Sequence, residues 1–513
     1  MWNLSLYIVT WNVSTKYPDN IKLNELLEID LHNKEKRLPD FYIVGLQEVN
    51  ANPHSYVSSF FKSDPWVQKL KELLKPLDYI VAKTEQMQGL LLTIFVKRKH
   101  LYHIREIESE YVRTGFGGMW GNKGAVATRM NCYGCSICLV NSHLAAHDEM
   151  LEERINDYQR VKEATNFSVK FCKDIYDHDY VFWFGDLNFR LYNHYSGSDN
   201  YTPQEIRQMI KEDRLAELIK KDQLSLAMCE GRAFSELVER LPQFPPTFKF
   251  VVDSNDYDMK RRPAWCDRIL YKARSKIIKN CSLHLEQVSY KSHPNYDMSD
   301  HKPVSSEFRI NVKEYYYNYE QILKPLRPLF SDSLSNAIKL PMLVVAPVAV
   351  SQMDPKSPTP STSDDEFFDA PDHFSDDESD DDQSPEDDIS ELVIKFKPLT
   401  VWNNSEDNEV EYILPPNFVC GSADWIGVYP ENFTGFDEYY GYEYTETAGD
   451  KPEPRERTIK INFSASIDLP LKGNFVFLYF QSTGMRGYSS MLGVSDPFPV
   501  IKRCPSPRPD TID

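Results

Sequence analysis

The sequence predicts a mixed α/β domain over residues 1–315 followed by a small all-β sandwich over 392–501, and three observations carry that division. Up to about residue 315, short apolar runs alternate with amphipathic stretches of helical spacing. A Pro-, Ser- and Asp-rich stretch then interrupts the pattern from residue 354 to 391; it cannot bury enough apolar surface to order itself, so a linker is expected over 316–391, acidic and disordered from 354. Beyond Leu392 strand-like runs return between Gly and Pro turns, now without helical spacing, as in an immunoglobulin-like sandwich. Residues 502–513 are left as a tail.

In the first domain the strand-like runs are "LYIVTWN", "FYIVGLQE", "LLLTIFVKR", "GAVATRM", "SICLVNSH", "YVFWFGDLN" and "RILYKA". Helical spacing appears in "NELLEID", "PWVQKLKELLK" and "TPQEIRQMIKEDRLAELIKKDQL", the last opened by Thr202, Pro203 and Glu205 in capping positions. The sandwich strands are read in "LVIKFKPLTVW", "DWIGVYP", "EYYGYEY", "RTIKINFSAS" and "GNFVFLYFQS". Met1 runs almost directly into the first strand, with neither a basic leader nor a cleavage site. The run "LPMLVVAPVAV" is too short, and too interrupted by Pro, to span a bilayer, so a cytoplasmic chain is expected. Nine scattered cysteines suit reduced thiols, and Cys132, Cys135 and Cys138 read as small buried side chains, not a metal cluster.

Charge is informative only once located. Of the formal −19, −15 falls between Asp354 and Glu391, where 16 acids face Lys356 alone, and −4 is left on the rest of the chain. A near-neutral folded part argues against a nucleic-acid partner.

The chemistry lies where the strands stop. Asn12, Glu48, His143, and the pair Asp186 and Asn188 end four apolar runs, while "PAWCDRIL" presents Asp267 and Arg268 and "YDMSDHKPV" presents Asp300 and His301. Carboxyl ends of strands are where α/β sheets collect reactive groups, so one shared crevice is expected. A carboxylate such as Glu48, helped by Asn12 and Asp300, suits a hard Mg²⁺ that meets phosphate oxygens. Asp186 is then the base for an attacking water oriented by Asn188. His301, fixed by Asp267, and His143 face the charge that builds on phosphorus. Neither Cys nor Ser stands in a nucleophile motif, which favours direct attack by water. Lys249, Lys260, Arg261 and Arg262 supply cations near Asp267 for phosphates that are not cut.

In that layout "GDLNFR", "PAWCDRIL", "QE", "WGNKGAV", "NSHLAAH" and "SDHKPV" resemble the inositol polyphosphate 5-phosphatase family of the endonuclease/exonuclease/phosphatase superfamily, over roughly residues 4–312. The resemblance implies a four-layer α/β/β/α sandwich and Mg²⁺-dependent hydrolysis of the 5-phosphate of phosphoinositides or soluble inositol phosphates. It gives the same roles to the residues above, places Lys249 and Arg261, with Lys260, at the 4-phosphate, and Asn122 and Lys123 at the 1-phosphate; Arg268 is taken with them as a substrate contact. Phe116, Met119 and Trp120, among glycines in "RTGFGGMWGNKG", are expected to dip into a lipid interface.

The carboxyl-terminal unit resembles the SKICH domain through "DWIGVYP", "NFVFLYFQS" and "MLGVSDPFPV", which implies protein partners and a role in localisation. In the linker, Glu366, Phe367, Phe368, Asp369, Ala370 and Asp372 form "EFFDAPD", similar to the two-phenylalanines-in-an-acidic-tract motif that docks on VAMP-associated proteins of the endoplasmic reticulum. Ser375 and Ser379, each followed by acids, are candidate phosphosites. A peripheral position at the endoplasmic reticulum or plasma membrane follows as an expectation. Two other readings use the same residues: a nuclease of the same fold, and a scaffold with an inactive site.

Overall fold

Strands that are apolar on both faces need a layer on each side, and residues 2–312 supply four. The structure, a computed structural model, describes residues 2–19, 21–30, 33, 37–49, 64–115, 120–169, 172–192, 201–274, 277–278, 281–312, 394–445, 453–482 and 490–502. The strands of the first unit are β1 (Trp2–Asn12), β2 (Phe41–Gln47), β3 (Tyr79–Met87), β4 (Leu90–Lys97), β5 (Ile104–Thr114), β6 (Trp120–Cys132), β7 (Cys135–His143), β8 (Tyr180–Asp186) and β9 (Asp267–Ala273), then the short pair β10 (Ile277–Ile278) and β11 (Cys281–Ser282), and finally β12 (Leu285–Ser292) and β13 (Val304–Val312). One sheet runs β12-β13-β1-β2-β4-β3 and the other β5-β6-β7-β8-β9.

The period-2 alternation of each strand decides which layer it feeds. On β1, Leu4, Leu6 and Ile8 enter the core between the sheets, where Phe182 and Phe184 of β8 meet them. Tyr7, Val9 and Trp11 face outward under the helix Pro65–Leu74, whose Trp66, Val67, Leu70 and Leu74 close that layer. On the opposite face Val181 and Trp183 of β8 pack under Ile155, Tyr158 and Val161 of the helix Leu151–Ala164. The four-layer expectation is met. Cys132, Cys135 and Cys138 are buried free thiols in β6 and β7, as expected.

Helix reading fared less evenly. The run from Thr202 to Leu224 divides into Pro203–Lys211, Leu215–Ile219 and the start of Gln223–Cys229. Asp213 adopts a left-handed φ of 56° between the first two, and Asp222 caps the third through Ser225 N. The Thr202–Glu205 capping box is present.

The carboxyl-terminal unit contains β14 (Lys395–Phe396), β15 (Trp402–Asn404), β16 (Asn408–Leu414), β17 (Trp425–Pro430), β18 (Gly441–Tyr444), β19 (Arg457–Phe463), β20 (Asn474–Gln481), β21 (Ser490–Val494) and β22 (Phe498–Lys502). Its two sheets, β14-β16-β19 and β15-β22-β20-β17-β18 with β21 beside β20, enclose Trp402, Tyr412, Phe463 and Phe477. β20 is buried on both faces: Phe475, Phe477 and Tyr479 point into the sandwich, while Val476, Leu478 and Phe480 join the core of the first unit. Hydrogen bonds to backbone carbonyls stitch the contact, one from a backbone N–H and two from arginine side chains. Val81 N donates to Thr434 O at 2.7 Å, Arg98 to Phe433 O at 2.6 Å and Arg105 to Met491 O at 2.8 Å. Among the described residues, no helix is long and apolar enough to cross a membrane.

Candidate active site

Register collects the polar residues at one end of the two sheets. β1 and β2 are parallel, pairing Asn12 with Gln47, so Asn12 and Glu48 emerge together. β7 and β8 are parallel, pairing His143 with Asp186; β9 runs back against β8 and pairs Asp267 with Asp186. β13 runs back against β1 from Val304, which brings His301 to the same end. At the turn Gly185 has φ 142°, and a Cβ there would lie 2.0 Å from Ser142 O, so Gly alone lets Asp186 reach its place.

Asp186 is the hub. One carboxylate oxygen accepts from Asn12 Nδ2 at 3.0 Å and lies 3.2 Å from His143 Nε2 and 3.8 Å from His301 Nε2; the other accepts from Asn188 N at 3.1 Å. Burial alone would push its pKa up, but His301, His143 and Lys123 outweigh burial and hold the carboxyl well below the usual carboxylate range. His301 Nδ1 bonds Asp267 at 2.9 Å, and the two flanking carboxylates raise the imidazole to about 9 against its burial. Burial also pushes Asp267 up; the pair holds one proton, and we place it on the imidazole, between two carboxylates. His143, buried with Lys123 Nζ against its Nε2, is shifted down by burial and by that cation, and stays neutral.

A cavity of about 270 Å³ opens above these groups, and Glu48, Lys123, Arg190, Lys249 and Arg261 border it together with His143, Asp186 and His301. Glu48 presents a carboxylate whose side chain is 42% exposed, and Asn12 Nδ2 reaches it at 3.1 Å. Three ligand atoms on Asp186, Asp267 and His301 also lie within 4.8 Å of one another, but Asp267 and His301 are already bonded to each other. The part-exposed carboxylate of Glu48 is therefore the group that fits a hard divalent cation, while Asn12 turns Nδ2 toward it and accepts from Ser14 N through Oδ1.

The model of endonuclease/exonuclease/phosphatase family 2 matches residues 9–307. The chain belongs to that family. Within the endonuclease/exonuclease/phosphatase family, it is 28% identical over 509 residues to inositol polyphosphate 5-phosphatase K of Mus musculus, covering 97% of this chain and 90% of the relative. Phosphatidylinositol 4,5-bisphosphate 5-phosphatase A of Homo sapiens is 28% identical over 503 residues; that match covers 96% of this chain, which spans 41% of that longer relative. Among solved structures, the inositol polyphosphate 5-phosphatase domain of SPsynaptojanin, in complex with inositol (1,4)-bisphosphate and calcium ion, superposes with a TM-score of 0.51 at 31% identity, covering 61% of this chain and 86% of that one. A SKICH domain model matches residues 394–500.

The remaining expected residues of this family member divide. Lys249 and Arg261 border the cavity; Lys260 is exposed and is not among the described residues that line it, and Arg262 is tied to Asp148 at 2.8 Å and to Leu191 O. Lys123 borders the cavity, whereas its neighbour Asn122 is exposed and is not among the lining residues. Asp300 lines the cavity, but its carboxylate accepts from Ser14 Oγ at 2.5 Å and pairs with Lys249 Nζ at 3.0 Å, so it positions the lysine. Asn188 is committed within its loop: Nδ2 donates to Leu144 O and Oδ1 accepts from Arg190 at 2.6 Å.

Arg268 is a correction. It is fully buried, with its guanidinium 2.9 Å from Asp222 and bonded to Glu239, and these two carboxylates neutralise it inside the protein away from the cavity. Phe116, Met119, the side chain of Trp120, and Glu366–Asp372 lie outside the described residues. Two functional residues escaped the sequence reading. Arg190, the last letter of "GDLNFR", lies over the Phe248 ring at 4.1 Å and borders the cavity. Thr247, two residues before Lys249, donates to Asp267 Oδ2 at 2.7 Å.

Proposed function

We propose that this chain is a Mg²⁺-dependent phosphatase that removes the 5-phosphate from phosphoinositides such as phosphatidylinositol 4,5-bisphosphate and 3,4,5-trisphosphate by direct attack of water. The observation that carries the reading is an ionised, buried Asp186 within hydrogen-bond reach of His143 and Asn12, at the floor of a cavity rimmed by Lys123, Arg190, Lys249 and Arg261. The names of the relatives support the substrate class.

Glu48, oriented by the Asn12 amide, would hold the Mg²⁺, which when bound supplies Lewis-acid stabilisation of phosphoryl oxygens. Asp186, kept ionised by its three cationic or polar-hydrogen neighbours, takes the proton of the attacking water. The protonated His301, fixed by Asp267 and Thr247, presents Nε2 to charge that grows on the phosphoryl group. Lys249, held by Asp300, and Arg261 grip a neighbouring phosphate on the ring, and Lys123 reaches the phosphodiester side. Docking on VAMP-associated proteins through Glu366–Asp372, lipid contact by Phe116, Met119 and Trp120, and protein partners for the SKICH domain belong to the same proposal and would hold the enzyme at endoplasmic reticulum or plasma membranes.

The test is phosphate release from dispersed phosphatidylinositol 4,5-bisphosphate and from inositol 1,4,5-trisphosphate, beside strand cleavage of a single-stranded oligonucleotide followed by gel electrophoresis, each with Mg²⁺ and with EDTA. Mg²⁺-dependent release from the lipid above the other two is expected. Preference for the soluble trisphosphate would move the substrate off the membrane, and cleavage of the oligonucleotide alone would make the chain a nuclease.

A further inference from the structure

A second cavity, of about 560 Å³, opens where the two units meet. One wall is the edge strand β3 with the helix Pro65–Leu74; the other is β17, the turn after it and the edge strand β18. Its aromatic side has an unusual arrangement. The rings of Trp425, Tyr439 and Tyr442 stand almost mutually perpendicular, at 67°, 74° and 89°, with centroids 5.6 to 5.8 Å apart, and Tyr444 continues the row 5.6 Å beyond Tyr442. Trp425 is backed by Phe480, stacked at 4.5 Å, and so is held in place, while Tyr439, Tyr442 and Tyr444 are 43%, 43% and 59% exposed.

Tyr439, Tyr442 and Tyr444 thus offer exposed aromatic surface along the cavity, of the kind a cation meets within the roughly 6 Å of a cation–π contact. A compact, weakly hydrated cation such as trimethylammonium suits it, because its methyl groups bury against the rings without hydrogen bonds to lose. The cavity also carries charge of both signs: Asp64 and Asp437 border it with Lys71 and Lys83, Lys71 is paired with Asp437 at 3.3 Å and Glu438 at 3.5 Å, and Lys83 stands 3.7 Å from Glu85. The aromatic row and the more loosely paired Lys83 together match a zwitterion that carries a quaternary ammonium and a phosphate.

We propose that the junction cavity binds phosphocholine, with Trp425, Tyr439 and Tyr442 around the trimethylammonium and Lys83 on the phosphate, and that the headgroup is that of a membrane phosphatidylcholine. The choice of a membrane source rests on the lipid-phosphatase reading above and on register. Gln86 in the cavity wall pairs with Leu91 and Leu91 with Leu46, two residues before Glu48, so the cavity reaches the end of the sheet that carries the catalytic groups. A methylated lysine on a peptide offers the same ammonium but no phosphate for Lys83.

Calorimetric titration of the full chain with soluble phosphocholine tests the site without reference to catalysis. Saturable binding is expected, weakened at least about 10-fold in Tyr442→Ala and in Lys83→Ala, with phosphoethanolamine binding at least about 10-fold more weakly than phosphocholine. Equal binding of the two headgroups, unchanged binding by Tyr442→Ala, or tighter binding of a trimethyl-lysine peptide would overturn the phosphocholine site. Flotation with phosphatidylcholine vesicles, against vesicles in which phosphatidylethanolamine replaces most of it, tests the source. Association lost on that replacement and in Tyr442→Ala supports the membrane headgroup, whereas no difference would make the ligand soluble. Hydrolysis of soluble inositol 1,4,5-trisphosphate by Tyr442→Ala measures the lipid-phosphatase chemistry separately.

Discussion

Two carboxylates at the site have different surroundings, and the difference assigns their work. Asp186 is enclosed by cations and polar hydrogens and remains ionised, whereas Asp267 is bound to His301 Nδ1 and to Thr247 Oγ1. Asp186→Asn replaces an acceptor by an amide that cannot take a proton, and kcat is expected to fall by roughly 10³ or more with the fold intact, in line with the loss of a general base and its electrostatic partner. Circular dichroism and steady-state phosphate release check it. Thr247 is fully buried and bonded to Asp267, so its effect is expected to pass through Asp267 and His301. Thr247→Val should lower kcat about 10-fold and leave KM nearly unchanged, with Thr247→Ser restoring it, as expected for a group that orients another. Glu48 and Asn188 hold left-handed φ values of 55° and 57°, and each follows the end of a strand that leads to the site.

At the scale of the element, the helix Leu151–Ala164 supports the loop that follows His143. Arg154 is fully buried and donates to Ala145 O at 3.1 Å and His147 O at 2.6 Å, while Asp157 accepts from Ala145 N at 2.9 Å. Arg154→Met leaves those carbonyls without their donor, and a loss of about 3 kcal/mol in unfolding free energy is expected, read from urea denaturation, with a parallel fall in kcat. This helix also shows what the sequence conceals. The strands around Asp186 were legible because period-2 apolar runs stop abruptly at polar residues, a pattern that local letters carry. The helix was passed over because its buried face contains Arg154 and Asp157 among Ile155, Tyr158 and Val161, which breaks the apolar period. Arg268 was misplaced for a related reason: its partners Asp222 and Glu239 are 46 and 29 residues away, and nothing near "CDR" announces that its charge is neutralised inside the protein. Glu48, Asn12, His143, Asp267 and His301 come together at one end of the sheets because strand order brings strand ends together, which residue type and position can anticipate.

Over the whole molecule, buried histidines set the acid limit. His178 is held neutral by burial and by Arg129, whose Nε donates to its Nε2 at 3.1 Å, and its pKa is lowered to about 4; burial lowers His293 to about 4 and His103 to about 3. The unfolded chain takes up these protons below about 6.5 and the folded one does not, so stability is full above that pH and falls as pH drops toward 4. At pH 5 each group is expected to remove about 2 kcal/mol, and His178→Gln should flatten the dependence of the urea midpoint on pH between 7 and 5. The second molecular property is the joint between the two units. Phe433 is fully buried in the core it shares with the first unit, under the Arg98 guanidinium at 4.7 Å, and Val476, Leu478 and Phe480 fill the same interface from β20. A SKICH domain joined by that much apolar contact acts as part of one folded body, not as a tethered passenger. A single unfolding transition is expected for the full chain by calorimetry. Phe433→Ala should shift that whole transition by the roughly 3–5 kcal/mol of a buried aromatic truncation. Two separate transitions, with Phe433→Ala moving one alone, would show that the units fold independently.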